Sequence, residues 1–177
     1  MVPVSGGALV VRWFHGPSEA ALMGLGVQVL QVSLMLAALA HRLVRPHVAG
    51  PYGFHRGFVV KLAAFYAVYL GGLFGAAVVG CYAVIRWVLD PAYSAALWPC
   101  WIMAGAALVA GIGTALNNYL LVLHRERWIT VSYAACAAAF LILAVFLGPG
   151  AGALGVAWAS VGAFAILLLA NTTSLLL

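Results

Sequence analysis

Residues 111–169 read GIGTALNNYLLVLHRERWITVSYAACAAAFLILAVFLGPGAGALGVAWASVGAFAILLL, and this stretch decides the fold class. Its three apolar segments are separated by a charged loop at residues 124–127 and an uncharged loop at residues 148–150. Apolar runs of about 18 residues or more are typical of helices that cross a bilayer, where each backbone polar group must be satisfied within its own helix. The stretch therefore predicts membrane-spanning helices.

The composition of the whole chain extends this prediction. Hydrophobic residues make up 67% of the 177 residues and charged residues only 6%, whereas a soluble domain carries roughly a quarter charged residues. A transmembrane barrel would need strands of alternating polarity, and the sequence does not alternate in that way. The predicted fold class is all-α, a polytopic transmembrane helical bundle.

The apolar segments predict five spans and an N-terminal partial span within a single transmembrane domain, residues 1–177. The five spans cover about residues 20–40, 62–85, 95–123, 128–147 and 151–170. Ser18 and Glu19 are predicted to cap the first span and to complement its N-terminal dipole, and Pro46 is predicted to end it. Pro99 is predicted to lie in the first turn of the third span, where its missing N–H is harmless.

The charges predict an orientation. The net charge is +5, and the loops at residues 41–61 and 124–128 carry most of the basic residues. These loops fall on the same side of a five-span bundle, and basic loops are cytoplasmic. We therefore expect a multi-pass membrane protein with a cytoplasmic C-terminus. Charge confined to loops is not the footprint of a nucleic-acid partner.

Catalytic and metal chemistry is not expected from this sequence. The only acids are Glu19, Asp90 and Glu126, and the histidines show no metal-ligand spacing. The three cysteines lie singly inside apolar runs, which favours small core or lipid-facing residues over disulfides or ligands. We expect no enzyme activity, no metal and no cofactor.

Neutral polar residues are the candidates for a transport path. Gln28 and Gln31 lie three residues apart in mid-span, so they share one face of a helix. They could line a hydrated path for a polar substrate, or they could form an interhelical hydrogen bond worth about 1 kcal/mol. Asn117 and Asn118 leave the same two alternatives near the cytoplasmic end of the third span.

Basic and small residues each allow two interpretations. Arg42, Arg45, Arg56 and Lys61 could contact the phosphates of anionic lipids or of a lipid-linked substrate, or they could serve orientation alone. Small residues recur at spacings of three to four, which permits either close packing or a sliding surface for alternating access. They are Gly71, Gly72, Gly75 and Gly80 in the second span, and Gly152, Gly155, Ala159 and Ala163 in the fifth.

Three stretches carry a resemblance to a known family. Residues 13–22, WFHGPSEAAL, resemble a glycine-containing turn that enters a span, and residues 42–46, RLVRP, resemble a span end before a basic linker. Residues 147–159, LGPGAGALGVAWA, resemble the segment before a late span. Together they are similar to the C-terminal half of a polysaccharide (O-antigen type) flippase of the multidrug/oligosaccharidyl-lipid/polysaccharide exporter superfamily.

The resemblance implies localisation in a bacterial cytoplasmic (inner) membrane and translocation of a lipid-linked oligosaccharide across it, with membrane lipids as the other partners. The implied substrate or cavity contacts are Gln28, Gln31, Asn117, Arg42, Arg45 and Arg56. Such flippases have about a dozen spans, so this chain is expected to be a fragment or half of a larger transporter, or to form a homo-oligomer. One alternative is a multidrug or small-solute antiporter of the same superfamily, which would need a coupling carboxylate in a span. The other is a non-transporting membrane scaffold or assembly protein.

Overall fold

The computed structural model describes residues 2–50 and 56–176, and these residues are almost entirely helical. The side chains of residues 2–5 and 56 lie outside the description. A short 3-10 turn, Pro91–Ala96, precedes the fourth helix. The helices are α1 (Val2–His15), α2 (Pro17–Val48), α3 (Arg56–Trp87), α4 (Leu97–Val122) and α5 (Glu126–Leu176). The prediction of an all-α fold is confirmed.

The helices differ in whether they are long enough to cross a membrane. Within the described ranges, four segments are long and apolar enough to cross a membrane: α2, α3, the 3-10 turn together with α4, and α5. The 14-residue α1 is shorter than a span requires, as its apolar length indicated. The number of long helices differs from the predicted number of spans because residues 128–147 and 151–170 belong to one assigned helix, α5. The protein is embedded in a membrane.

The helix α5 folds back on itself at Gly152, whose backbone is not helical (φ 55°, ψ −132°). A Cβ atom on Gly155 would overlap the carbonyl oxygen of Leu147, and Arg125 near the start of α5 donates a hydrogen bond to the carbonyl of Ser174 near its end. The two halves of α5 therefore run antiparallel. A straight helix of 51 residues would measure about 77 Å, against a hydrocarbon core of about 30 Å.

The helix α4 lies at the centre of the bundle and packs against α2, α3 and α5. Its small residues permit close approach, since a Cβ atom on Gly113 would lie 3.4 Å from the backbone of Leu168. The core is formed where Met103 and Ala110 of α4 meet Phe140 and Leu167 of α5. The helix α3 is peripheral, and much of its surface is exposed in the single chain.

The helix directions place the loops at two ends of the bundle. The helices α2 and α4 are parallel, because Gly26 lies beside Met103 and His41 is hydrogen-bonded to Thr114. The end that carries residues 123–125 and the C-terminus of α2 is called the basic end, since it holds Arg42, Arg45, Lys61, Arg125 and Arg127. The other end, called the clamp end, carries residues 16, 88–96 and 148–152.

Two local predictions about α2 are wrong. The N-cap of α2 is Gly16, with no side-chain capping bond, and Glu19 instead reaches the N–H of Ala153 in α5. Pro46 lies inside α2, which continues to Val48. A proline in the last turn removes only its own N–H bond, so the helix runs on for two residues before it ends. Pro99 lies in the first turn of α4, as its position predicts.

Candidate functional site

A cavity of about 300 Å³ lies between α2 and α3 and is called the α2–α3 groove. The lining is mostly aliphatic, and its polar groups are the amide of Gln28, the hydroxyl of Ser33 and two thiols. The aliphatic lining includes Leu25, Val29, Val32, Val84, Ile85 and Leu89. Such a lining, with a few polar groups, suits an amphiphilic or apolar molecule rather than a fully hydrated one.

The side chains of Gln28 and Gln31 are both exposed on α2, and Gln28 lines the α2–α3 groove. The predicted common face is confirmed for this pair. Neither amide hydrogen-bonds to a described residue. The interhelical bond that was the alternative for these residues is therefore not made within this part of the chain.

Asn117 belongs to a hydrogen-bond network between α4 and α5. The buried Asn171 donates from Nδ2 to the Oδ1 of Asn117 at 2.9 Å and to the carbonyl of Gly113 at 2.8 Å. Asn117 in turn donates to the hydroxyl of Tyr133 at 3.2 Å. The network joins α4 to both halves of α5, so Asn117 bridges helices and lies apart from the α2–α3 groove.

A second polar cluster joins α2, α3 and α4 near the basic end. His41 contacts the hydroxyl of Tyr66 through Nδ1 at 2.8 Å and the hydroxyl of Thr114 through Nε2 at 2.9 Å. The Thr114 hydroxyl also donates to the carbonyl of Ala110 at 2.9 Å. A neutral imidazole that donates from Nε2 and accepts at Nδ1 from Tyr66 satisfies every group. No local sequence pattern predicts this cluster, because its members lie on three different helices.

The predicted basic contacts lie at the basic end of the bundle. Arg42 and Arg45 are exposed in the last two turns of α2, on the same end as Lys61. Arg56 is the first residue of α3, and its side chain lies outside the described residues. The structure therefore brings Arg42 and Arg45 close in sequence and in space, but it separates them from Gln28 by about four helical turns, roughly 21 Å.

At the clamp end, two side chains hold the turn of α5, and together they are called the clamp. His15 of α1 donates to the carbonyl of Gly148 at 2.8 Å, and Glu19 of α2 accepts from the N–H of Ala153 at 3.1 Å. The carboxylate faces the N-terminus of the second half of α5, where the helix dipole favours negative charge. Glu19 was assigned by sequence to its own helix, so its partner was missed.

The small residues fall into two groups that behave differently. On α3, the positions of Gly71, Gly72 and Gly75 have no neighbouring atom within 4 Å of an added Cβ. In α5, Ala159 and Ala163 are fully buried in the core. The small residues of α5 serve close packing, whereas those of α3 face outward from the single chain.

The geometry defines a helical membrane protein with an apolar groove, open between α2 and α3, and two internal polar clusters. Among the described residues, no group of three or more His, Cys, Asp or Glu side chains is arranged to hold a metal ion. Comparisons with protein-family models, with curated proteins and with solved structures find no match.

Proposed function

We propose that this protein is a flippase unit that moves lipid-linked oligosaccharide across a bacterial cytoplasmic membrane for polysaccharide biosynthesis. The observation that carries the proposal is the position of Gln28 and Gln31, which are both exposed near the middle of α2, with Gln28 lining the α2–α3 groove. A polar side chain in hydrocarbon is costly unless it finds a hydrogen-bonding partner, and the hydroxyls of a sugar are suitable partners.

The shape of the groove supports an amphiphilic substrate. One wall of the groove is α3, much of whose surface is exposed, so a lipid tail would remain in the bilayer while the sugar passes along α2. The aliphatic lining suits the tail, and the amides of Gln28 and Gln31 suit the head group. Arg42 and Arg45 at the basic end would meet the phosphate of the lipid as it enters.

The proposed topology follows from the fold of α5 and from the distribution of charge. Each half of α5 is long enough to cross, so the chain makes five crossings, with α1 as a partial one. The basic end would be cytoplasmic by the positive-inside rule, and the C-terminus would lie on the same side.

The exposed face of α2 and α3 would need a cover to enclose a sugar. A second copy of this chain, or a further half of a larger transporter, would supply that cover. The open glycine positions on α3 support this arrangement, because they allow another helix to approach closely.

The test is translocation of a fluorescent lipid-linked oligosaccharide in vesicles that contain the tagged protein purified in mild detergent. We expect Gln28→Leu combined with Gln31→Leu to slow translocation about tenfold, which corresponds to about 1.4 kcal/mol of lost hydrogen bonding. The matched control is Thr172→Val with Thr173→Val, two exposed polar positions on α5 whose hydroxyls bond only to their own helix.

The outcomes separate the candidate functions. Equal translocation rates for the glutamine variant and the control would show that Gln28 and Gln31 do not contact the substrate. Ion-gradient-dependent dye efflux without lipid translocation would indicate the antiporter. A protein inactive in both assays that retains a stable partner through purification would indicate the scaffold.

A further inference from the structure

Two cysteines that are unrelated in sequence lie opposite each other on α3 and α4. Leu70 of α3 contacts Gly111 of α4, which fixes the register of this antiparallel pair. Cys81 lies 11 residues after Leu70, and Cys100 lies 11 residues before Gly111. Eleven residues are about three helical turns, so Cys81 lies on the same face of α3 as Leu70, and Cys100 lies on the same face of α4 as Gly111. The two cysteines therefore face each other.

Neighbouring contacts support this placement. Trp101, next to Cys100, donates from Nε1 to the carbonyl of Val78 on α3 at 3.3 Å. Both cysteines belong to one buried cluster, whereas Cys136 lies in the separate core around α5.

The pair is also reachable, because both cysteines line the α2–α3 groove. Cys81 retains 9% of its surface and Cys100 only 1%, so the sulfur of Cys81 is the more accessible of the two. The groove holds about 300 Å³ and is largely aliphatic, so it admits a small uncharged molecule and disfavours a charged one. Cys81 lies six residues before the end of α3, about 9 Å from the clamp end.

We propose that Cys81 and Cys100 are a redox-active thiol pair that closes to an intramolecular disulfide between α3 and α4. The oxidant is a small uncharged disulfide, RSSR. The Cys81 thiolate attacks one of its sulfurs, and the first RSH leaves after taking up the released proton. The Cys100 thiolate then attacks the sulfur of Cys81 in the mixed disulfide, and the second RSH leaves. The two cysteines lose two electrons, and RSSR gains them as two thiols.

Formation of the disulfide would affect α3 most. This helix is peripheral and packs mainly on α4, so a covalent link to α4 would restrain the wall of the α2–α3 groove. The thiol chemistry is measured on the protein itself and requires no transport activity.

The wild-type chain allows a direct test, because trypsin places its three cysteines in three different peptides. Cleavage after Lys61, Arg86, Arg125 and Arg127 gives residues 62–86 with Cys81, 87–125 with Cys100 and 128–177 with Cys136. The protein in detergent is treated with 4,4′-dithiodipyridine, blocked with N-ethylmaleimide and digested without reductant. We expect peptides 62–86 and 87–125 to be joined, to separate on reduction, and to accompany release of two equivalents of thiopyridone.

Variants supply the controls. Cys136→Ser should retain the joined peptides, whereas Cys81→Ser should leave peptide 87–125 unlinked. Because either variant could fold poorly, the wild-type peptide map decides. Thiopyridyl groups or maleimide on both Cys81 and Cys100 would overturn the proposal, and so would a link between the Cys81 residues of two chains.

Discussion

His15 and Glu19 satisfy backbone groups that the turn of α5 would otherwise leave unpaired. A helix end carries carbonyls or N–H groups without intrahelical partners. His15 bonds the carbonyl of Gly148, where the first half of α5 ends, and Glu19 bonds the N–H of Ala153, where the second half begins. The conformation of Gly152 between them brings both groups within reach of α1 and α2.

Gly152 should be the residue of this turn that tolerates substitution least. Its φ of 55° is in the region that favours glycine, and an added Cβ would overlap the carboxylate of Glu19. Gly152→Ala should therefore cost about 1–3 kcal/mol of stability. The matched control is Gly150→Ala, in the same turn, where a Cβ meets no atom within 4 Å. Thermal unfolding in detergent measures both, and an equal melting temperature for the two variants would contradict the proposed constraint.

The residues that sequence could place are those whose partners are local. The spacing of Gln28 and Gln31 predicts a common face because it depends only on the helical repeat, and both side chains are exposed together. His41 and Thr114 lie 73 residues apart and follow no local pattern, so their bond depends on the packing of α2 on α4. Glu19 was assigned to α2 because capping rules consider only the helix in which a residue lies.

The turn of α5 was predicted from the sequence in its approximate position but not in its backbone conformation. The Gly-Pro-Gly sequence at residues 148–150 correctly marks where the chain reverses, because apolar runs of about 20 residues lie on both sides. It does not indicate which glycine takes the positive φ. The reversal occurs at Gly152, and the helix assignment continues through Pro149.

Close approach of the two halves of α5 should depend on Gly155 more than on Gly162. A Cβ on Gly155 would overlap the backbone carbonyl of Leu147, which cannot move without opening the turn. A Cβ on Gly162 would meet only the end of the flexible Leu143 side chain, at 2.7 Å. We expect Gly155→Ala to lose about 2 kcal/mol or more and Gly162→Ala about 1 kcal/mol or less. Chemical unfolding in detergent ranks them, and the reverse order would refute the packing argument.

The glycines of α3 show what a spacing of small residues can and cannot predict. Its glycines predict either packing or sliding, and the structure leaves those at residues 71–75 without neighbours in the single chain. The small residues of α5 that recur at the same spacing, such as Ala159 and Ala163, are buried. A spacing of small residues therefore marks a surface that permits close approach, but it does not indicate which helix approaches.

The whole molecule separates charge between its two ends. Arg42, Arg45, Arg125 and Arg127 gather at the basic end, whereas the clamp end holds two basic and two acidic residues, Arg12, Arg86, Glu19 and Asp90. The loop pattern of the sequence predicted which charges would share an end, because alternate spans return the chain to the same side. The side of the membrane that each end faces stays a prediction.

Labelling of single cysteines tests that orientation and the reversal of α5. In a background with Cys81, Cys100 and Cys136 replaced by alanine, Gly150→Cys should react with a membrane-impermeant thiol reagent in cells whose inner membrane is intact. Glu126→Cys should react only after that membrane is permeabilised. Reaction of both positions under the first condition would contradict a crossing between residues 126 and 150.

The clamp has a consequence for biosynthesis. Glu19 and its partner Ala153 are 134 residues apart, and His15 and Gly148 are 133 apart, so the first helices emerge from the ribosome long before their partners exist. Until then α1, whose 14 residues are too few to cross the membrane, lacks the partner that its His15 bonds in the finished fold. Its packing against the turn of α5 therefore has to follow the synthesis of residues 148–153, after α2, α3 and α4 have been made.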